Sequence, residues 1–165
     1  MNFLIRKATL KDAEFIANVH VESWFETYRG IVPDSYLSKL SKPEKQEMWE
    51  KVISMDKGGL FVAETSNSVV GFIYVGRSRE KDYHYEGEVY AIYLLKDFHG
   101  EGIGREIFDR GKEWFRQNNL NSFLLWVLKE NKTVNFYEKA GGTYLLDRLE
   151  DFDGVALDEC LYFWG

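Results

Sequence analysis

The sequence predicts an α/β (α+β) fold, in which a mixed and mostly antiparallel sheet of about seven strands is flanked by about four helices. Two patterns support this prediction. Segments in which apolar residues recur at every second position alternate with segments of helical spacing. In the middle of the chain, three β segments follow one another without an intervening helix, which favours antiparallel pairing. The 165 residues contain no internal repeat and no linker, so we expect one domain over residues 1–165.

The first third of the chain predicts one strand and two helices. Residues 3–6 have the apolar character of a short strand. Thr9, followed three residues later by Asp12, fits the start of a helix. A second helix is expected after Ser41, which forms a capping-box sequence with Glu44 and is followed by a proline in the first turn. The apolar stripe of the first helix consists of Ala13, Ile16, Ala17, His20 and Trp24.

The rest of the chain predicts six strands and two helices. Residues 60–64 and 69–75, joined by a turn at 66–68, have the pattern of a hairpin. Each helix that connects two strands implies that those strands are parallel neighbours. The further elements are a strand at 86–95, a helix at 103–118, a strand at 122–128, a short helix at 133–140, and closing strands at 144–149 and 156–164.

The composition indicates a soluble, cytoplasmic protein. The net charge is −6, from 21 basic and 27 acidic residues, which disfavours binding to nucleic acid. No apolar run approaches the roughly 20 residues that span a membrane, and the first residues lack the pattern of a signal peptide. The lone cysteine, Cys160, is expected to be a small buried apolar side chain. The three histidines lack metal-ligand spacing, so no metal site is predicted.

The most informative segment is YAIYLLKDFHGEGIGR at residues 90–105, in which a strand leads into a glycine-rich loop that opens a helix. This arrangement collects unpaired backbone amides at a helix N-terminus and predicts an anion site. Gly100, Gly102 and Gly104 alternate, and Arg105 stands where the dinucleotide-binding pattern G-x-G-x-x-G has its third glycine. That site class is therefore disfavoured. The other interpretation of the segment is a glycine-rich turn without a ligand.

The loop resembles the coenzyme A pyrophosphate loop of the GNAT superfamily, Q/R-x-x-G-x-G/A. His99 takes the first position of that pattern, and Gly102 and Gly104 take the two small positions. Two further segments carry the resemblance. The sequence SWFETYRGIVPDSYL at 23–37 is similar to the acceptor-side helices of a bacterial subgroup. The sequence NKTVNFYEKAGG at 131–142 resembles the family signature N-x-x-A-x-x-F-Y-E-K-x-G-F, with Val at the alanine position and Gly at the final phenylalanine position.

The resemblance implies a GNAT fold and an N-acetyltransferase that moves the acetyl group of acetyl-CoA to an amine by direct attack on the thioester. The pantetheine arm of the coenzyme is expected along the backbone of Ile92, Tyr93 and Leu94. The side-chain amide of Asn131 is expected to reach the coenzyme as well. The phosphates are expected on Gly100, Glu101, Gly102, Ile103, Gly104 and Arg105, and His99 is expected among the coenzyme-binding residues.

Amide formation from a thioester needs a neutral amine and a proton for the departing thiolate. The resemblance places Tyr137 beside the sulfur as the acid, with core packing as the alternative role. Glu86 and Glu88 are expected to share a strand face with Tyr90 and Ile92. Carboxylates on an inner strand face indicate a site for the acceptor amine, and the equal alternative for each residue is an ordinary solvated strand end. Glu88 is preferred as the base, and Glu86 or a water molecule are the alternatives.

The acceptor site is expected to include Trp24 and Tyr28 as walls and Glu86 as an acidic contact, although core packing is at least as strong an alternative for the two aromatic residues. The acceptor is a small-molecule or peptide amine, with polyamines, amino acids, aminoglycosides and protein N-termini all open. A homodimer is common in the family that the chain resembles. The alternative function is a non-catalytic domain that senses coenzyme A.

Overall fold

The computed structural model describes residues 1–66 and 68–165. It confirms all seven expected strands and the four expected helices, and it adds one short helix. Asn67, in the predicted hairpin turn, lies outside the described residues. The elements are β1 (Leu4–Lys7), α1 (Ala13–Tyr28), α2 (Asp34–Leu37), α3 (Lys42–Met55), β2 (Gly59–Thr65), β3 (Ser68–Arg77), β4 (Gly87–Leu94), α4 (Ile103–Gln117), β5 (Phe123–Leu128), α5 (Val134–Lys139), β6 (Thr143–Phe152) and β7 (Val155–Trp164).

Local hydrogen bonds explain where the first long helices begin. The Thr9 amide donates to Asp12 Oδ2 at 2.8 Å, and a short 3-10 turn over Leu10–Asp12 leads into α1. Ser41 Oγ accepts the Glu44 amide at 3.3 Å at the start of α3, as the capping-box sequence predicts. These caps satisfy backbone donors that the first turn of a helix leaves unpaired.

The seven strands form one sheet in the order β1-β2-β3-β4-β5-β7-β6. All pairs are antiparallel except β4 with β5, which the crossover through α4 makes parallel, as predicted. Two other expectations of parallel neighbours are wrong. The strands β1 and β2 are antiparallel, because the two long helices between them return the chain to the end of the sheet that it left. The strand β6 does not neighbour β5, because β7 folds back between them.

Two apolar cores cover the two faces of the sheet. One lies beneath α4 and includes Ile103, Ile107 and Phe108. The other lies beneath α1 and α3 and includes Ile16 and Trp49. Cys160 is buried in the first core, as predicted. In the described ranges, no helix has both the length and the apolar character needed to cross a membrane.

The strands β4 and β5 separate soon after they meet. Only Gly87 pairs with Phe123 and Glu88 with Leu124, although β4 continues to Leu94. A register shift against β3 marks a bulge at Tyr90, since Val75 pairs with Val89 and Tyr74 pairs with Ala91. The bulge reverses the alternation of side chains along β4.

The expected common face of Glu86, Glu88, Tyr90 and Ile92 is therefore wrong in two respects. Ile92 packs against the core beneath α4, whereas Ala91 packs against the core beneath α1 and α3. Glu86 precedes β4 and is exposed, and its Oε2 accepts the backbone amide of Asn121. Glu88 and Tyr90 remain together beside one cavity.

Candidate active site

The glycine loop presents open backbone at the start of α4. Gly100 and Gly102 both have φ of +81°, and a Cβ added at either would meet no atom within 4 Å. The amide of Glu106 donates to Gly102 O at 3.2 Å, as the first closed bond of the helix. Within residues 1–66 and 68–165, the hydrogen bonds found leave the amides of Ile103, Gly104 and Arg105 available. Such a cluster of donors fits a diphosphate group.

The side chain of His99 ties this loop to the end of β4. Its Nε2 donates to the carbonyl oxygen of Leu94 at 2.9 Å, because a carbonyl can only accept. Glu101 is exposed, and Arg105 lies 3.6 Å from Asp109 one helical turn later. The contacts predicted between these side chains and the coenzyme stay predictions.

The gap between β4 and β5 exposes one backbone edge. The Leu95 amide donates to Val70 O in β3 at 2.9 Å, so Tyr93, two residues earlier, also directs its backbone toward β3. Ile92 and Leu94 consequently direct their backbone groups into the gap. An extended arm that carries amides can pair with such an edge as an added strand does.

Three tyrosines from three different elements lie near this gap. The Tyr93 hydroxyl accepts a hydrogen bond from Trp24 Nε1 at 2.9 Å, and burial raises the pKa of Tyr93 to about 12. Burial raises the pKa of Tyr28 and of Tyr137 above their ordinary values, and the other two tyrosines add to the shift of Tyr28. Tyr137, on α5, is only 6% exposed. All three phenols therefore hold their protons at neutral pH.

Asn131 organises the start of α5. Its Nδ2 donates to the Tyr28 hydroxyl at 2.9 Å, and its Oδ1 accepts both the Thr133 amide at 2.9 Å and the Thr133 hydroxyl at 2.8 Å. Tyr28 is 7% exposed and packs 4.4 Å from the Trp24 ring. These bonds position Tyr137 one turn further along, while a direct contact of Asn131 with the coenzyme stays a prediction.

A cavity of about 360 Å³ opens beside the base of the gap. Glu88 lies in its wall and is only 3% exposed. Three carboxylates and two guanidinium groups face the cavity, so its walls carry a net negative charge that favours a cation. The lining residues are Arg79, Glu80, Glu88, Val89, Tyr90, Trp126, Arg148 and Glu159.

The floor of the cavity contains charged residues that the sequence analysis did not single out. Arg148 of β6 lies 3.1 Å from Glu80 Oε1 and 3.2 Å from Glu159 Oε2, and its guanidinium covers the Trp126 ring at 3.7 Å. Burial raises the pKa of the Glu159 carboxyl above its usual value. The sequence signal that could have revealed this cluster is the charge of Arg148 on β6 and of Glu159 on β7. The signal is weak, because their partners Glu80 and Trp126 come from distant parts of the chain.

Glu88 is bound by Arg79 alone among the residues that the structure describes. Its Oε1 accepts the Arg79 amide at 3.0 Å, and its Oε2 accepts Arg79 Nη2 at 2.7 Å. The other predicted acceptor residues, Trp24, Tyr28 and Glu86, do not line this cavity. Trp24 and Tyr28 instead lie with Tyr93 near the gap.

Comparisons with known proteins agree with this geometry. The model of the acetyltransferase (GNAT) family matches residues 19–142. YuaI, an uncharacterized N-acetyltransferase of Bacillus subtilis, is 35% identical over 161 residues, which cover 97% of this chain and 91% of YuaI. A spermidine N(1)-acetyltransferase of Thermoplasma acidophilum is 25% identical over 160 residues and 93% of each chain.

A solved structure with the same fold contains the coenzyme. The PaiA N-acetyltransferase of Thermoplasma acidophilum, in complex with coenzyme A, superposes with a TM-score of 0.70 and 22% identity, over 97% of this chain and 98% of that one. The free amides at the start of α4 and the open edge of β4 suit the same ligand chemistry. The chain thus belongs to the acetyltransferase (GNAT) family, as an N-acetyltransferase that takes its acetyl group from acetyl-CoA.

Proposed function

We propose that the acceptor is a cationic alkylamine, on a small molecule or a peptide, and that it enters the cavity beside Glu88. The observation that carries this proposal is a buried carboxylate in an acid-rich cavity, at the point where β4 and β5 separate. Buried carboxylates are rare without a cationic partner. Arg79 is the cationic partner of Glu88 within the chain, and a cationic acceptor could fill the same role at the place where the reaction needs a base.

Glu88 prepares the amine in this proposal. An alkylammonium has a pKa of about 10.4, so only about one molecule in a thousand is neutral near pH 7. Glu88 accepts a proton from the ammonium, and the neutral amine then attacks the carbonyl carbon of the thioester that acetyl-CoA supplies. The new N–C bond forms as the C–S bond breaks.

Tyr137 supplies the proton that the departing sulfur needs. A thiol like that of coenzyme A has a pKa of about 8.5, so its thiolate leaves fairly readily and a nearby phenol can protonate it. The proton that the amine loses as the amide forms restores the phenol of Tyr137 through solvent. Peptide and small-molecule acceptors fit this scheme equally, because it uses only the reacting amine.

A polyamine is a specific candidate acceptor. The spermidine N(1)-acetyltransferase relative acts on such a molecule by its name, and the acid-rich cavity suits a chain with several cationic groups. The test is a mass-spectrometric screen of acetyl transfer to spermidine, a monoamine such as butylamine, an arylamine such as aniline, and an amino-terminal peptide. We expect acetylation of alkylamines and none of aniline.

Two outcomes of the screen would contradict the proposal. Equal transfer to aniline would show that a cationic acceptor is not required. Binding of acetyl-CoA without transfer to any amine would instead favour the coenzyme A sensor.

A further inference from the structure

The cavity contains a preformed cation seat, which we define as the carboxylate of Glu88 and the ring of Tyr90. The guanidinium of Arg79 occupies this seat. Its Nη2 donates to Glu88 Oε2 at 2.7 Å, and its carbon Cζ lies 4.3 Å from the centre of the Tyr90 ring. A carboxylate beside an aromatic face binds any compact organic cation, whether guanidinium or ammonium.

The two partners of this ion pair differ sharply in exposure. The Glu88 side chain is 4% exposed, whereas the Arg79 side chain is 67% exposed. Exchanging the Arg79 guanidinium for another cation costs little, because Arg79 stays in contact with water and Glu88 keeps a positively charged partner. Leaving Glu88 without a cation costs much more, because the charge is buried. Any cation in the seat can therefore stabilise the buried charge of Glu88, and that cation does not have to be Arg79.

The second arginine of the cavity behaves differently. Arg148 is 36% exposed, contacts the three carboxylates of Glu80, Glu150 and Glu159, and lies against the Trp126 ring. Its many partners fix it in place. Arg79 pairs with one carboxylate in the described part of the chain, and it lies on the segment between β3 and β4, outside both strands.

We propose that Arg79 is an internal stand-in for the acceptor, which must displace its guanidinium from Glu88 before it can react. This inference rests on the proposed entry of the acceptor into the cavity. Arg79 cannot be acetylated there, because a guanidinium keeps its proton at any physiological pH and offers no neutral nucleophile. Amines that carry no positive charge do not compete for the seat, so the exchange selects alkylammonium acceptors over arylamines.

The acceptor binds only while Arg79 is out of the seat. Its apparent affinity is therefore its affinity for the free seat multiplied by the fraction of time that the seat is free. A seat that Arg79 fills about nine-tenths of the time weakens binding about tenfold. The first test is Arg79→Ala, which we expect to lower the KM for butylamine by about tenfold. Arg77→Ala is the matched control, because Arg77 is an exposed arginine two residues earlier whose side chain has no ion pair among those found in residues 1–66 and 68–165. Its KM should equal that of the original protein.

The second test uses guanidinium chloride at a few millimolar, far below denaturing concentrations. In Arg79→Ala the guanidinium ion should refill the seat, compete with butylamine and raise the Tm relative to equal sodium chloride. The original protein and Arg77→Ala should show neither effect. Arg79→Gln repeats both measurements, in case the unpaired carboxylate of Glu88 prevents Arg79→Ala from folding.

The outcomes separate the two proposals. An unchanged or higher KM in a folded Arg79 variant, together with no response to guanidinium, overturns the stand-in. Failure of the original protein to acetylate any alkylamine overturns the proposed acceptor instead. The Tm response to guanidinium then still decides whether the seat takes an external cation, because that measurement needs no acetyl transfer.

Discussion

The indole Nε1 of Trp24 donates a hydrogen bond to the hydroxyl of Tyr93 at 2.9 Å, which joins α1 to the open part of β4. The Tyr93 ring also stacks on His20, with centroids 5.2 Å apart and planes 16° from parallel. A phenol that accepts one hydrogen bond keeps its own O–H for another partner. Tyr93 is thus a second candidate, besides Tyr137, for the proton donor of the proposed reaction, and its side chain was not among the predicted catalytic residues.

Replacing Tyr137 with phenylalanine should separate these two phenols. Tyr137→Phe keeps the packing and should keep coenzyme affinity, while the rate of the chemical step falls about 10²-fold, the lower end for loss of a general acid. Rapid-mixing kinetics with butylamine measure that step. Tyr162→Phe is the control, because Tyr162 lies buried in the same core and its hydroxyl donates to Glu138 at 2.8 Å instead. A full rate in Tyr137→Phe, with a large loss in Tyr93→Phe, would transfer the acid role to Tyr93.

Glu88→Gln should slow acetylation most at low pH. The free neutral amine is scarcest there, so the base contributes most, and the deficit should shrink as the pH approaches the pKa of the substrate. The rate is followed from about pH 6 to 10, a range that approaches the amine pKa, in parallel with Glu86→Gln. The exposed side chain of Glu86 accepts one hydrogen bond in the described structure, from the Asn121 amide. If Glu86→Gln shows the pH-dependent deficit and Glu88→Gln does not, the base has been assigned to the wrong residue.

A glutamate at Gly102 should abolish tight coenzyme binding. Its carboxylate would project into the site predicted for the diphosphate and repel that group. Gly154→Glu is a close control. Gly154 has φ of +88°, close to the +81° of Gly102, and a Cβ added at either glycine would meet no atom within 4 Å. Gly154 lies in the turn between β6 and β7, outside the glycine loop. Both variants should lose similar stability, about 1 kcal/mol. Calorimetry with acetyl-CoA should show at least a tenfold weaker affinity for Gly102→Glu alone.

His20 should make the fold sensitive to mild acid. Burial lowers the pKa of His20 to about 4, and Trp49 Nε1 donates to its Nδ1 at 3.2 Å. Because the unfolded chain binds the proton near pH 6.5 and the folded chain only near 4, the stabilising contribution is present above pH 6.5 and is lost as the pH falls toward 4. The resulting loss between pH 7 and 5 is about 2 kcal/mol.

Urea unfolding at about pH 7, 6 and 5 measures this loss. His20→Phe should remove that part of the pH dependence, whereas His84→Gln, at an exposed histidine, should retain it. The same slope in His20→Phe and in the original protein would assign the acid sensitivity to other groups.

The parts of the fold that follow local rules could be predicted from the sequence. Ser41 and its capping partner mark the start of α3, and the alternating glycines mark the turn into α4, because the hydrogen bonds involved lie within a few residues. The bulge at Tyr90 could not be predicted, because it depends on the register with β3. The place of β7 between β5 and β6 is likewise a choice among distant strands.

The same distinction applies to the site. The glycine loop and Glu88 could be singled out as candidates because each lies in a short segment with a pattern that can be read from the sequence. Arg148 and Trp126 escaped notice because they are 22 positions apart in the sequence and meet only through the sheet. Arg79 escaped notice because an exposed arginine in a charged connection has no distinguishing pattern.

In the described residues, the backbone pairing between the four strands β1–β4 and the three strands β5–β7 is limited to the two residue pairs of the β4–β5 ladder. A pantetheine arm in the gap would extend that pairing along Ile92 and Leu94. Slow exchange of the Ile92 and Leu94 amides with deuterated water would then show that acetyl-CoA is bound in the gap, without any catalytic turnover. The cosubstrate would thus complete backbone pairing at the place where the sheet has least of its own in the described residues.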